Sequence, residues 1–402
     1  TKVRLSWGKN GNEKMPDFRY TSLTSSGNNY IFGSGETVTI GVKSGWLANP
    51  DLRWEESEQL DFGLDFGFLE NALTFTIDYY KKKTIGMLME QPIPSYVGEA
   101  KPWGNVGEME NSGLEFEAAY RFRSGDWNFR VGGNITYLKN ELIEYGNETG
   151  WENLDSFQGI GAITRAQNGK PFPYFYGYKT AGIFQNVAEV NAYTNKDGGL
   201  IQPKAVPGDV RFVDINGDGI IDEKDRTDIG NGIPDFSYGL NVNASWKDFD
   251  FSMMWQGTIG NDVFDATRRT DIASSNLPSW MLNRWTGEGT SNKYPRFVLS
   301  DNVNWQPSDL YVYDGSYLRL KNIQLGYTFP SNMTRKFFVS SLRLYVAAEN
   351  LLTFTKYHGF DPEISSGSNS KLGSAEGGTS LGLDRGVYPQ ARTFTIGANL
   401  TF

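Results

Sequence analysis

Strict two-residue alternation, repeated about ten times along the chain, constrains this sequence more than any other feature. Alternate side chains of a strand point to opposite faces, so such a run marks a strand with one apolar face and one polar face. The first run is residues 1–9. Residues 58–69 set Leu60, Phe62, Leu64, Phe66 and Phe68 against Asp61, Gly63, Asp65 and Gly67. Residues 73–84 set Leu73, Phe75, Ile77 and Tyr79 against Thr74, Thr76 and Asp78. The same pattern recurs over 112–123, 127–139, 236–246, 249–258, 317–329, 341–355 and 390–402. In 317–329 the phase slips between Leu320 and Ile323, and a bulge near Lys321-Asn322 accounts for the slip.

The connections alternate in length. Short turns stand at 69–72, 124–126, 247–248 and about 330–340. Long connections stand at 10–57, 85–111, 140–235, 259–316 and 356–389. Long loops of this kind are uncommon in a compact soluble domain. They are the rule in a transmembrane barrel, which has short periplasmic turns and long extracellular loops. The expected fold class is therefore all-β: a transmembrane antiparallel β-barrel segment of about ten strands, with both chain ends on the periplasmic side.

Composition agrees. The 402 residues include 46 Gly, 26 Phe, 21 Tyr and 11 Trp, and no Cys. Disulfides and thiolate chemistry are excluded. The net charge of -9 leaves no basic stripe for a nucleic acid. Mean hydropathy is -0.47, and no apolar run approaches the ~18 residues of a membrane helix. A barrel escapes that test, because only every second residue meets lipid. Aromatics cluster beside the short turns: Phe122 with Trp127, Trp246 with Phe249, Phe329 with Phe337. That placement suits an interfacial girdle, although cross-strand pairing in a soluble sheet also produces it. The sequence opens inside an alternating pattern, at Thr1-Lys2-Val3-Arg4, so an earlier part of the protein is expected to precede it.

Two residue groups invite a chemical reading. Asp214, Asn216, Asp218, Gly219, Asp222 and Asp225 stand at EF-hand positions 1, 3, 5, 6, 9 and 12. The carbonyl of Ile220 would complete a set of oxygen ligands for a structural Ca2+. Asp replaces Glu at position 12, and a strand-like Val210-Arg211-Phe212-Val213 replaces the entering helix. An Asx- and Gly-rich turn that binds nothing fits the same residues. The second group is loop aromatics: Trp103, Trp151, Tyr176, Trp280, Trp285 and Trp305. They could stack on sugar rings or simply pack among the loops.

No catalytic residue and no organic cofactor is expected. Glu115 and Glu117 share a strand face, where lining a lumen or pairing with Arg121 or Arg130 is favoured over glycoside hydrolysis. His358 is the single histidine, so a triad or zinc site has no partners.

Several blocks, in order along nearly the whole chain, carry a family resemblance. They include Asn49-Pro50-Asp51-Leu52-Arg53-Trp54-Glu55, Asp78-Tyr79-Tyr80-Lys81 and Asn105-Val106-Gly107-Glu108-Met109-Glu110-Asn111-Ser112-Gly113. Gly208-Asp209-Val210-Arg211-Phe212, Pro234-Asp235-Phe236 and Tyr317-Leu318-Arg319-Leu320-Lys321-Asn322 follow. The final strand, ending Phe394-x-Ile396-x-Ala398-x-Leu400-x-Phe402, is similar to the signal read by the barrel assembly machinery. Together these blocks resemble the SusC/RagA-type TonB-dependent transporters of the outer membrane.

The resemblance implies a barrel of about 22 strands around an N-terminal plug. The ten segments would then be its last ten strands, with the plug and the TonB-contacting part outside residues 1–402. It implies TonB-dependent import of oligosaccharides, or of peptides, with a SusD-like lipoprotein as a lid that the loop aromatics could touch, and outer-membrane lipid around the barrel. A soluble or surface-anchored calcium-dependent carbohydrate-binding β-protein is the rival from another class, and a siderophore receptor is the rival within the class.

Overall fold

A computed structural model describes residues 1–12, 17–27, 29–35, 37–91, 93–157, 161–268, 275–298, 303–364 and 377–402. Ten strands form one continuous sheet: β1 (Lys2–Asn12), β2 (Glu55–Phe68), β3 (Leu73–Glu90), β4 (Trp103–Ser124), β5 (Trp127–Glu144), β6 (Phe236–Trp246), β7 (Phe249–Ile259), β8 (Tyr317–Thr328), β9 (Ser341–Thr355) and β10 (Thr393–Thr401). Each strand pairs antiparallel with its neighbours in sequence order. All ten alternating runs are strands, and the four short turns join them at one end of the sheet, beside Lys2 and Thr401.

The register explains why the alternation matters. Leu5 lies opposite Phe62, Phe62 opposite Tyr79, Tyr79 opposite Leu114, and Leu114 opposite Tyr137. Val131 lies opposite Val242, Val242 opposite Met253, and Met253 opposite Ile323. Every apolar face therefore joins one surface that runs across all ten strands. That surface is open: Leu5 is 74% exposed, Leu114 51% and Val346 50%. In water such a face demands cover. Among the described residues no second sheet packs on it, so the face has the form of a lipid-facing wall rather than half of a sandwich.

The apolar band has the right height. A spanning strand needs about 9–11 residues, and the outward run on β5 from Trp127 to Tyr137 has that length before Lys139 ends it. Above the band the outward positions become charged and pair with one another. Lys9 meets Glu56 at 2.5 Å, Lys81 meets Glu110 at 2.7 Å and Lys83 meets Glu108 at 3.2 Å. Below it, aromatics close the band. Trp127 stacks on Trp246 at 5.6 Å, Trp246 on Phe249 at 6.1 Å, and Phe249 meets Tyr327 at 4.7 Å. Phe122 and Phe129 extend the row, 6.4 Å apart. The girdle expected beside the short turns is thus a continuous row of rings; the Phe337 side chain lies outside the described residues.

The bulge falls where the phase slip put it. Met254 pairs with Asn322 and Trp255 with Leu320, so Lys321 is the extra residue of β8. On the other side Leu320 pairs with Leu352 and Asn322 with Glu349. A bulge re-aims side chains, and here Arg319 and Lys321 converge on one carboxylate, Glu363, at 2.7 and 2.6 Å.

The closed hydrophobic core sits outside the sheet, in the long connections. Phe157, Ile163, Phe175 and Ile229 come from residues 145–235, Phe264, Met281, Trp305 and Tyr311 from 260–316, and Leu383 from 356–392. Phe175 and Phe264 are fully buried, with rings 5.9 Å apart. Short strands organise these loops: Trp151–Asn153, Thr164–Gln167, Tyr174–Tyr178 and Arg226–Asp228 form a small sheet. Asp262–Asp265 pairs with Val312–Asp314 and with Leu383–Asp384, tying two loops together. The loops therefore fold as a cap with its own core.

Candidate functional site

Two surfaces can act on a solute: the inner wall of the sheet and the cap above it. The inner wall carries the residues that alternate with the apolar face. Several of its charges are paired. Arg4 bridges Asp65 at 2.9 Å and Asp78 at 2.8 Å across three strands. Arg343 grips both oxygens of Asp250, at 2.9 and 2.5 Å, in the two-pronged geometry that a guanidinium favours. Glycines opposite these side chains make room for them. A Cβ on Gly63 would sit 2.2 Å from Asp78 Oδ1, and one on Gly326 would sit 2.5 Å from Arg343 Nη2.

Glu115 and Glu117 line this wall, both exposed. Their pairing with Arg121 or Arg130 does not form among the described residues. The register explains why: Arg121 lies opposite Arg130, whereas Glu117 lies opposite Asn134, two same-face rungs away. Sequence reasoning treated these arginines as partners for the acids and left out Arg123. Only the pairing register reveals three grouped arginines that make no ion pair among the described residues.

The cap is anchored to the wall by a buried charge cluster. Arg319 and Asp361, each with a side chain 3% exposed, meet at 2.6 Å. Asp361 also accepts from the Gln390 and Glu363 amides. Burial pushes the Asp361 carboxyl up, but the two amides and the Arg319 guanidinium outweigh it and hold it below the usual range. Within the cap, buried Asp209 takes Arg296 at 2.6 Å and the Asn304 amide at 2.9 Å. His358 lies 3.1 Å from Asp265, whose carboxyl is pushed up by burial yet held low by His358 and Thr267.

The loop aromatics are separated by the structure. Tyr176 and Trp305 are buried, 7% and 3% exposed. Arg165 and Arg226 lie over the Tyr176 ring, at 3.4 and 4.5 Å from its centroid, and Arg268 lies over Trp305. Trp280 stacks on Tyr294, 4.7 Å between centroids. The Trp285 indole donates to Gln185 Oε1, at 3.2 Å. Trp103 begins β4 and is half-buried, with Arg19 over its ring. Trp151 is the exposed member of the six, 40% accessible, with Arg165 over its ring.

The 214–225 loop is drawn in on its own carboxylates. Asp214 accepts from the Gly217 and Gly219 amides, at 2.8 and 2.9 Å. Asp225 is fully buried and accepts from Ile215 and Asp222, at 2.9 and 2.8 Å. Asn216 donates to Asp218, and Asp222 caps the short Glu223–Asp225 turn. Gly219 has φ +87°, the left-handed conformation that favours glycine at the sharp bend. The entry is a strand, Val210–Phe212. Among the described residues no three acidic, His or Cys side chains are gathered as a metal cluster. Backbone amides take the side-chain oxygens instead: Asn216 Oδ1 accepts from the Asp218 amide at 2.8 Å, Asp218 Oδ1 from the Ile220 amide at 3.2 Å and Asp222 Oδ1 from the Lys224 amide at 2.7 Å.

An open apolar band, an inner polar wall and a folded cap together define the barrel of an outer-membrane receptor. Residues 1–351 match the family described as TonB dependent receptor-like, beta-barrel, and the chain belongs to that family. Its members are outer-membrane proteins. The whole chain aligns with TonB-dependent receptor P3 of Formosa agariphila at 34% identity, and with TonB-dependent receptor SusC of Bacteroides thetaiotaomicron at 30%. It covers 39% and 37% of those two proteins, so it spans about two-fifths of the curated relatives it matches. Among solved structures, the RagAB peptide importer in its closed-closed state superposes with a TM-score of 0.76 at 24% identity; all of this chain and 41% of that one are covered. That likeness concerns the fold alone.

Proposed function

We propose that this chain is the C-terminal barrel portion of a TonB-dependent importer of oligomeric nutrients, glycans first and peptides second, that works with a SusD-like surface lipoprotein. The observation that carries the reading is the continuous apolar face open across ten strands, with a polar wall behind it and a folded cap above. The SusC/RagA-type resemblance implies the oligosaccharide class, while RagAB is a peptide transporter. Trp151, exposed in the cap, offers an aromatic face to a sugar ring, while Trp103, Trp280 and Trp285 serve the packing of the loops. The test is purification of the full-length receptor from outer membranes. A stoichiometric surface lipoprotein and a co-purifying oligosaccharide, identified by mass spectrometry, are expected. A receptor that stays dispersed without detergent, or that comes away alone and empty, refutes the reading.

The proposal includes Ca2+ at the 214–225 loop, held by Asp214, Asn216, Asp218, the Ile220 carbonyl, Asp222 and Asp225. Ligand spacing and the glycine bend at Gly219 support it; the ion would stiffen the loop and take no part in transport chemistry. Chelation, or Asp214→Ala with Asp218→Ala, should raise protease cleavage within 205–232 several-fold. Cleavage at the same rate with and without chelator counts against the ion.

A further inference from the structure

Ion pairs tie together several charges of the wall, and three clustered arginines stand outside them. Arg4 has two aspartates, Arg343 has Asp250, and Arg319 has Asp361 and Glu363. Arg121, Arg123 and Arg130 make no ion pair among the described residues. Arg121 and Arg130 occupy directly opposed positions of β4 and β5, and like charges there repel. All three line one recess of about 650 Å³. Its other polar lining includes Asn128, Asn243 and Ser245, and Asn128 donates to Ser245 at 3.3 Å. Asp250 also borders the recess, but both its oxygens are engaged by Arg343. Glu117 shares only a neighbouring hollow with Arg130.

We propose that Arg121, Arg123 and Arg130 form an oxyanion-binding site on the inner wall, taking carboxylate, sulfate or phosphate groups of whatever fills or crosses the lumen. A guanidinium offers paired donors in a plane, which match two oxygens of one anion. Two opposed guanidiniums with a third beside them hold a group of more than one charge. The amide and hydroxyl of Asn243 and Ser245 add neutral donors at the rim. An anion there turns a repulsive rung into an attractive one. The anion can come from cargo or from polypeptide of the full-length receptor lying inside the barrel. The proposal rests on the barrel reading only in taking this face as the lumen.

The test uses full-length receptor in detergent, with inorganic pyrophosphate as the probe. Titration calorimetry should show saturable binding that weakens at least tenfold in Arg121→Gln with Arg130→Gln. Lys139→Gln, on the outward face, should bind as the wild type does. Where polypeptide of the receptor already occupies the site, pyrophosphate does not bind. The double variant then melts lower than wild type at low salt, and the gap closes at high salt. Either result supports the site and names the source of the anion. No probe binding, together with an unchanged or higher melting temperature in the double variant, overturns it, because relief of Arg121–Arg130 repulsion would then be the only effect. Should the double variant fail to fold, Arg130→Lys, which keeps the charge and loses the fork, gives the same comparison. Failure of the import reading would show separately, as a receptor soluble without detergent.

Discussion

Val131 stands in the outward face of β5, between Tyr120 on one side and Val242 on the other. Its neighbours Arg130 and Gly132 face inward. That one-residue difference decides what a charge costs. Val131→Arg should lower the unfolding free energy of the receptor in lipid by about 2–4 kcal/mol, the typical price of a cation near the bilayer midplane. Asn241→Arg, on the inner wall, should change it by less than about 1 kcal/mol. Denaturant unfolding from liposomes reads both, and equal effects would contradict the assignment of the faces. The same logic made the alternation readable in the sequence, because facing is a property of each residue and its neighbours. That Glu117 does not meet Arg121 or Arg130 was unreadable for the opposite reason: which residue lies opposite depends on the register between strands.

At the scale of elements, the strands outrun the alternating runs that announced them. β3 continues to Glu90 and β4 begins at Trp103, well outside 73–84 and 112–123. Above the membrane band the outward positions are Lys and Glu, so the apolar period ends while the hydrogen-bond ladder continues. The short strand Asp262–Asp265 shows what the loops add. Asp262 accepts from the Asn231 amide at 3.2 Å. Burial pushes its carboxyl up; that amide opposes the shift, Asp314, Asp228 and Asp235 add to it, and the result is about 6. A carboxyl raised in the folded state binds its proton more tightly there than when unfolded. Its proton-linked stabilisation is therefore complete below about pH 4 and is lost as pH rises through about 6. The cap should gain protection against protease between pH 7 and 5, and Asp262→Asn should flatten that dependence. An unchanged pH profile in the variant would dismiss Asp262 as its source.

For the molecule as a whole, apolar residues are sorted in two opposite ways. Those of the sheet face out, and those of the loops face in. The two parts should therefore fail separately. Phe264→Ala removes a fully buried ring that touches Phe157, Phe175 and Tyr311. It should cost the cap about 3–5 kcal/mol and open residues 145–235 to hydrogen exchange, with the ten-stranded sheet still protected. Loss of protection in β4 and β5 as well would mean that cap and sheet are one cooperative unit.

The ten strands, their turns, the bulge at Lys321 and the two faces of the sheet are legible in the chain alone, because a two-residue period is written in neighbours. It also carried the EF-hand spacing and the block order that marks the family. Folding in three dimensions was needed to bring Arg319 to Asp361 and Arg296 to Asp209, to bury Tyr176 and Trp305 under arginines, and to set Arg121 against Arg130. Each of those pairings joins residues set side by side by strand register or by loop docking, and neither leaves a periodic trace along the chain.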